Sequence, residues 1–317
     1  MACGKWFSLN RLKEDINPQE LLVDHLDGIP LRKIGWQKGI SAPTVSRSVR
    51  LELTKLPSNF EITSYYANRF SGILAFDGKY VNVKGHQNGL VLLWGVDFLT
   101  HDVPHFSLAP SENYIAALQY FQKLKNLSYN LIYMVCDDNQ AFKVAARYVY
   151  PSVIIQTCLN HYKESIRRDL GIRSTEDAVL KEFYFLVESL FTRRLELVSF
   201  TREVAVIYAR FKDNSRCLYW VEDLMRRRRE LLAYHQLPNI PNTTNLIEAY
   251  NSHLEARLIS IKGFQSPRTA TLWLNGYILR RRLKPFTDCT KQFKKLNGNC
   301  SLFYSLKRGL NLPKLFV

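Results

Sequence analysis

Residues 131–165 read LIYMVCDDNQAFKVAARYVYPSVIIQTCLNHYKES, and the hydrophobic period changes three times along them. LIYMVC is a short apolar run that predicts a buried strand, NQAFKVAARYVY has helical spacing, SVIIQTC predicts a second short strand, and a further helix opens near Leu159. Two carboxylates, Asp137 and Asp138, stand at the end of the first run. Cys158 and His161 stand three apart at the end of the second.

Upstream, GILAFDGKYVNV (72–83) and GLVLLWGVDFL (89–99) are rich in β-branched and aromatic residues and are broken by the turn KGHQNG. They predict two antiparallel strands. A helix is expected from Glu112 to Lys125, with Ile115, Leu118, Phe121 and Leu124 on one face. Antiparallel strands followed by strand–helix alternation imply a mixed α/β fold, a five-stranded sheet with helices on its faces. From 173 to 241 strand periodicity disappears: VLKEFYFLVESLF, EVAVIYARF and CLYWVEDLMRRRRELLAYH all have amphipathic helical spacing. The chain then enters PNTTNLIEAYNSHLEARL, a well-signalled helix, and ends in a basic stretch containing LRRRLKP and KQFKKLNGN.

The amino-terminal part, HLDGIPLRKIGWQKGISAPTVSRSVRLEL (25–53), predicts a helix, a turn at Gly39-Ile40-Ser41 and a second helix capped by Ser41 with Pro43 in its first turn. Val45, Val49 and Leu53 would face inward, leaving Thr44, Arg47, Ser48 and Arg50 outward. That is the outline of a helix-turn-helix whose second helix could enter a major groove; a plain helical hairpin is the alternative.

Composition narrows the partners. With 44 Lys and Arg against 28 Asp and Glu, the net charge is +16, which favours a polyanion, DNA first. The longest apolar run, Leu90 to Val96, is far too short to span a bilayer, and MACGKWFSLN lacks the apolar core of a signal peptide, so a cytoplasmic, nucleoid-associated protein with no membrane partner is expected. The six cysteines form no C-x-x-C pair, so neither a disulfide framework nor a complete zinc site is expected.

Asp77 follows the apolar run GILAF as Asp137 follows LIYMVC. If the two strands are parallel neighbours, both carboxylates emerge at one edge of the sheet. Two close carboxylates repel unless a cation neutralises them, and hard oxygen donors suit magnesium or manganese. Each aspartate alone would also serve as a turn or capping residue. Glu248, on the helix expected to start at Asn245, is the third candidate, although Asn245 with Glu248 also fits a capping box.

Asp77 in FDGKY, Asp137 in VCDDNQAF, Pro151, C-L-N-H at 158–161 and TTNLIEAYNSHLEARLISIKGF after a long helical stretch together resemble the DDE transposases of the Mutator-like group of bacterial insertion sequences. The resemblance runs from about residue 70 to 275. It implies a ribonuclease-H-like core, a helical insertion between the second aspartate and the glutamate, and an acidic triad, Asp77, Asp137 and Glu248, that binds two divalent metal ions, magnesium or manganese. Asp137 is preferred to Asp138 because Phe142 and Pro151 then match the family's spacing. Cys158 and His161, with Asn245 and Asn251, fall on signature positions beside the active site, and a structural or DNA-positioning role is expected for the Cys and His.

The implied chemistry has Asp77 bridging the metals, Asp137 and Glu248 each holding one, water cutting first at the element's end, and the freed 3′-hydroxyl attacking target DNA. The partners would be element ends and target DNA, with a homo-oligomer assembled on them. Arg226, Arg227, Arg280 and Arg281 are candidate phosphate contacts, with solvated helix faces as the alternative. The expected organisation is a zinc-ribbon-like remnant at 1–17, the helix-turn-helix region at 18–60, the core at 68–172, the helical insertion at 173–241, the last part of the core at 242–285 and a basic tail at 286–317. MACGKWFSLN is similar to the last knuckle of a zinc ribbon, but Cys3 alone cannot hold zinc, so a start inside a longer reading frame or a decayed element is expected. The rival readings are a metal-dependent nuclease without strand transfer and an inactive or truncated remnant that only binds DNA.

Overall fold

Four helices precede the sheet in the computed structural model, which describes residues 16–316; Cys3 and the knuckle lie outside the described residues. They are α1 (Pro18–Leu26), α2 (Leu31–Lys38), α3 (Ala42–Lys55) and α4 (Asn59–Tyr66). The single helix expected ahead of Gly39 is two, because Gly28 takes a left-handed φ of 106° and Pro30 then caps α2. Gly39, also left-handed, ends α2, and the Ser41 hydroxyl accepts from the Thr44 amide to start α3. Val45, Val49 and Leu53 are buried, while Thr44, Arg47 and Arg50 are exposed and Ser48 is half-buried.

Strands β1 (Ile73–Val83) and β2 (His86–Asp97) form a hairpin whose pairing continues to Val83 opposite His86. The expected turn therefore shrinks to Lys84 and Gly85, and the register slips between Val81 and Val83. Gly89 sits beside that bulge at a φ of 73°, where a Cβ would collide with the Val81 carbonyl oxygen. A strand that the sequence does not announce, β3 (Phe106–Ala109), adds to the edge of β2. Helix α5 (Tyr114–Asn126) starts two residues later than expected, at an Asn113 cap, and leads to β4 (Tyr133–Cys136).

The alternation continues with α6 (Gln140–Val149), β5 (Ile154–Thr157) and α7 (Leu159–Asp169). The resulting sheet of five strands has the order β3-β2-β1-β4-β5, antiparallel among the first three and parallel from β1 to β5. Next come α8 (Ala178–Thr192), α9 (Leu197–Phe211) and α10 (Ser215–Leu231), which share an apolar cluster with α7 separate from the sheet's. The chain closes with α11 (Asn245–Leu258), α12 (Pro267–Leu283) and α13 (Ser301–Ser305).

Both faces of the sheet are covered. Leu74, Phe76, Met134 and Cys136 pack against α5 and α6, while Ala75, Trp94, Tyr133 and Val135 pack against α11, α12 and the amino-terminal helices. The stretch expected as a basic tail is folded onto this body: Phe286 bridges to Asn297, Leu306 bridges to Ala67, and the Ser301 and Ser305 hydroxyls donate to buried Asp102. The charge run hides this because the residues that bury there, Ser301, Leu302 and Ser305, sit between the exposed Lys295 and the half-buried Lys307. No helix among the described residues is long and apolar enough to cross a membrane.

Candidate active site

Asp77 is not at a strand end. It lies in the middle of β1, opposite Trp94 of β2, because β1 is the strand shared by two neighbours of different length. Its ladder with β4 stops at Ala75, opposite Val135. Two residues further along each chain come Asp77 and Asp137, so the two carboxylates leave the sheet where β4 ends. Their proximity has an electrostatic signature: burial, then the charge of Asp137, pushes the Asp77 carboxyl up to about 7. The side-chain amide of Asn251 donates to Asp77 Oδ2 at 2.7 Å, and the same side chain accepts from the Trp94 indole at 3.0 Å, which ties the aspartate to α11.

The neighbouring carboxylates at 137 and 138 have different surroundings. Asp138 receives both terminal nitrogens of Arg227 and the Nζ of Lys143, which is at 2.9 Å. Asp137 turns the other way. His161 Nδ1 approaches its Oδ1 to 2.5 Å, yet that buried oxygen has no donor aligned for a hydrogen bond. The approach is close and the angle poor, which makes this an ion contact rather than a satisfied hydrogen bond. His161 Nε2 lies 3.9 Å from Glu248 Oε1, which puts the imidazole between the second aspartate and the glutamate. Contact with Asp137 first, and with Cys158 second, raises His161 to about 11, so the ring carries a positive charge among the carboxylates.

Glu248 enters on the first turn of α11. The capping box with Asn245 does not form, because Thr244 is the cap residue and Asn245 is the first helical position, where its side-chain oxygen accepts from Asn160 at 3.0 Å. Glu248 is held instead by Thr244, whose hydroxyl donates to its Oε1 at 2.5 Å. That hydroxyl also lies 3.1 Å from Cys158 Sγ and 3.3 Å from His161 Nδ1, and the Thr244 amide donates to the same sulfur at 3.3 Å. Burial alone would raise the Cys158 thiol, but hydrogen bonds from His161 and Thr244 more than offset it and lower its pKa. Asp137, Cys158 and His161 each offer one donor atom within 4.8 Å of the others, a set able to hold one metal ion.

Two residues of the site are not readable from the sequence. Thr244 stands in the TTN stretch with nothing to separate it from an ordinary helix start. Glu112 lies against β1, its Oε1 2.5 Å from where a Cβ on Gly78 would be, and Asn139 donates to its Oε2 at 3.2 Å. Burial, and then the charge of Asp137, raises its pKa. A glutamate just ahead of a helix carries no signal of such a position.

The basic candidates lie elsewhere. Thr44, Arg47, Ser48 and Arg50 belong to α3. Arg226 pairs with Asp223, while Arg227 is held by Asp138 and Asp223 over the Tyr162 ring. Arg280 pairs with Asp27 at 2.9 Å, and Arg281 stacks over Tyr250 and Phe286. The site thus gathers Asp77, Asp137, Glu248, Cys158, His161 and Asn251, with Asn245 at its rim.

A family model described as "Transposase, Mutator family" matches residues 35–279. No curated protein matches the chain. The matched span takes in α3, the whole sheet and every residue of this acidic cluster, and the chain belongs to the Mutator family of transposases.

Proposed function

We propose that this transposase cuts DNA at the ends of an insertion sequence and joins the freed 3′-hydroxyl to target DNA, using Asp77, Asp137 and Glu248 as a DDE triad. The observation that carries the reading is that Asp77 of β1 lies close enough to Asp137, at the end of β4, to feel its charge, while one imidazole sits between Asp137 and Glu248 at the start of α11. A ribonuclease-H-like core is supported by the sheet order and by the acidic residues on β1 and just past the end of its neighbour β4. DNA reading by α2 and α3 as a helix-turn-helix is supported by the outward Thr44, Arg47 and Arg50. Assembly as a homo-oligomer on DNA accompanies this reading.

The donor set fits divalent metal. Asp137 Oδ1 is buried without an aligned donor, and carboxylate oxygens suit magnesium or manganese. Bound there, two such ions would supply a nucleophile at neutral pH and charge relief on the attacking and leaving oxygens. The chain's own groups do the positioning: Asn251 fixes the Asp77 carboxylate, Thr244 fixes Glu248, and His161 spaces Asp137 from Glu248. Thiolate and imidazole would suit zinc better than magnesium. Cys158, however, is already engaged by the hydroxyl and amide of Thr244, which favours an orienting part for the Cys and His.

The test is Asp77→Asn. Asn keeps the size and one oxygen but removes the charge, so magnesium-dependent nicking and end joining should be lost with folding and DNA affinity retained. Joined products at the parent's level would remove the triad. Nicks without joined products in the parent would leave the nuclease reading in place of strand transfer.

A further inference from the structure

Glu248 and Arg257 are nine residues apart on α11, or about two and a half turns, so they point to opposite sides of the helix. On the side away from Glu248, His253 and Arg257 of α11 meet Arg280, Arg281 and Lys284 at the end of α12 and Asp27 after α1. Together they line a pocket of about 200 Å³. Four permanent cations face two carboxylates there, Asp27 and Asp288. Asp27 is taken by Arg280 at 2.9 Å and Lys284 at 3.2 Å.

Arg257 and Arg281 are left over. Neither side chain makes a hydrogen bond or ion pair with the described residues. Arg281 is pinned between two rings, with its guanidinium carbon 5.0 Å from the Tyr250 centroid and 5.4 Å from that of Phe286, and its Nε is buried with no acceptor. A buried donor without an acceptor is costly, and a guanidinium held in place by stacking is preorganised to fork onto phosphate oxygens. Burial and the neighbouring Arg281 and Arg257 hold His253 below its ordinary pKa.

We propose that this pocket is a phosphate clamp: Arg257 and Arg281 grip one backbone phosphate of bound DNA, on the side of α11 turned away from Glu248. The clamp would seat the duplex against the seam between the amino-terminal helices and α12 and so help fix the register of the strand that reaches the acidic cluster. Such a contact is independent of base sequence. The inference rests on DNA being the ligand, as family membership implies, and not on the acidic triad.

The experiment measures binding of a labelled random-sequence duplex across a salt series, in buffer without divalent metal, so that the triad has no part in the result. Arg257→Gln and Arg281→Gln should each weaken binding several-fold and flatten the log–log salt dependence by about 0.9 for each phosphate no longer neutralised. Thermal melts accompany both. If Arg281→Gln unfolds, the half-buried Arg257 variant still decides between the outcomes. Parent-like affinity and slope in a folded Arg257→Gln protein would overturn the clamp, as would failure of the parent to bind the duplex at all. Inorganic phosphate is the second arm. A melting rise with phosphate that the variants lose, together with an unchanged DNA salt slope, would mean a free-anion site and would equally overturn the assignment to DNA.

Discussion

Thr244 carries no charge and has no exposed surface, yet its one hydroxyl touches Glu248, Cys158 and His161. Such a group can act only by orienting its neighbours, and loss of an outer-shell partner typically costs about 10- to 100-fold in metal affinity or activity. Thr244→Val keeps the shape and removes the hydroxyl's hydrogen bonds, leaving the amide bond to Cys158. It should therefore raise the magnesium concentration needed for half-maximal cleavage, whereas Thr244→Ser should stay near the parent. A purely structural role would lower the melting temperature and leave the magnesium requirement alone, so a magnesium titration beside a melt separates the two. The aspartate pair makes a related point. Asp137 and Asp138 are identical side chains in adjacent positions, and only their partners divide them: Lys143 and Arg227 hold Asp138, while Asp137 keeps an oxygen free of aligned donors. The preference for Asp137 comes from family spacing, since nothing local in the sequence distinguishes the two.

At the scale of elements, α10 is fastened to the sheet by a charged seam. Lys143, fully buried on α6, reaches Glu230 of α10 at 2.9 Å and Thr157 of β5 at 2.8 Å, and Arg147 takes the other oxygen of Glu230 at 2.6 Å. Burial alone would raise the Glu230 carboxyl, but hydrogen bonds from Arg147 and Lys143 and their charges bring it down to about 2. A depressed folded-state pKa contributes stability above the unfolded value, near 4.5, and that stability is lost as pH falls towards 2. Glu230→Gln should thus cost about 3 kcal/mol at pH 7, with the gap to the parent closing below pH 4.5, as read by denaturant melts at several pH values. A gap independent of pH would sink this assignment. Helices with regular apolar stripes, such as α8 and α9, and the long strands β1 and β2 are legible in the sequence because their periods are clean over enough residues, while β4 and β5, four residues each, are legible because they sit in the apolar runs LIYMVC and SVIIQTC. β3, equally short, lies half-buried at the sheet edge as FSLA and has no such run around it, and the α1–α2 break rests on the φ of a single glycine. Neither the Lys143–Glu230 seam nor the Thr244 bracket can be read, because both join residues more than 80 positions apart.

For the molecule as a whole, stability depends on chain that lies beyond the family match. Asp102, after β2, and Arg282, in the last turn of α12, are both fully buried and pair at 2.7 and 2.8 Å. Arg282 also donates to Asn59 and Thr63 of α4, and Ser301 and Ser305 of α13 complete the ring around Asp102. One ion pair therefore joins the amino-terminal helices, the sheet, α12 and the carboxy-terminal segment. A charged pair at zero exposure is tolerated only while its remaining lone pairs and protons are satisfied. Deleting residues 300–317 would take away both serines and the packing of Cys300 and Leu302 against Ile62 and Ala67. The expected outcome is a protein that melts well below the parent or fails to fold, and Arg282→Ala, which strands the Asp102 charge, should cost about 3–5 kcal/mol. Ser301→Ala with Ser305→Ala leaves the salt bridge intact and should cost less, about 1–3 kcal/mol. The order of these destabilisations is the discriminating result. A basic tail in solution would let the deletion melt with the parent, whereas a keystone segment makes the deletion the worst of the three, because it removes the hydrogen bonds and the apolar cover together.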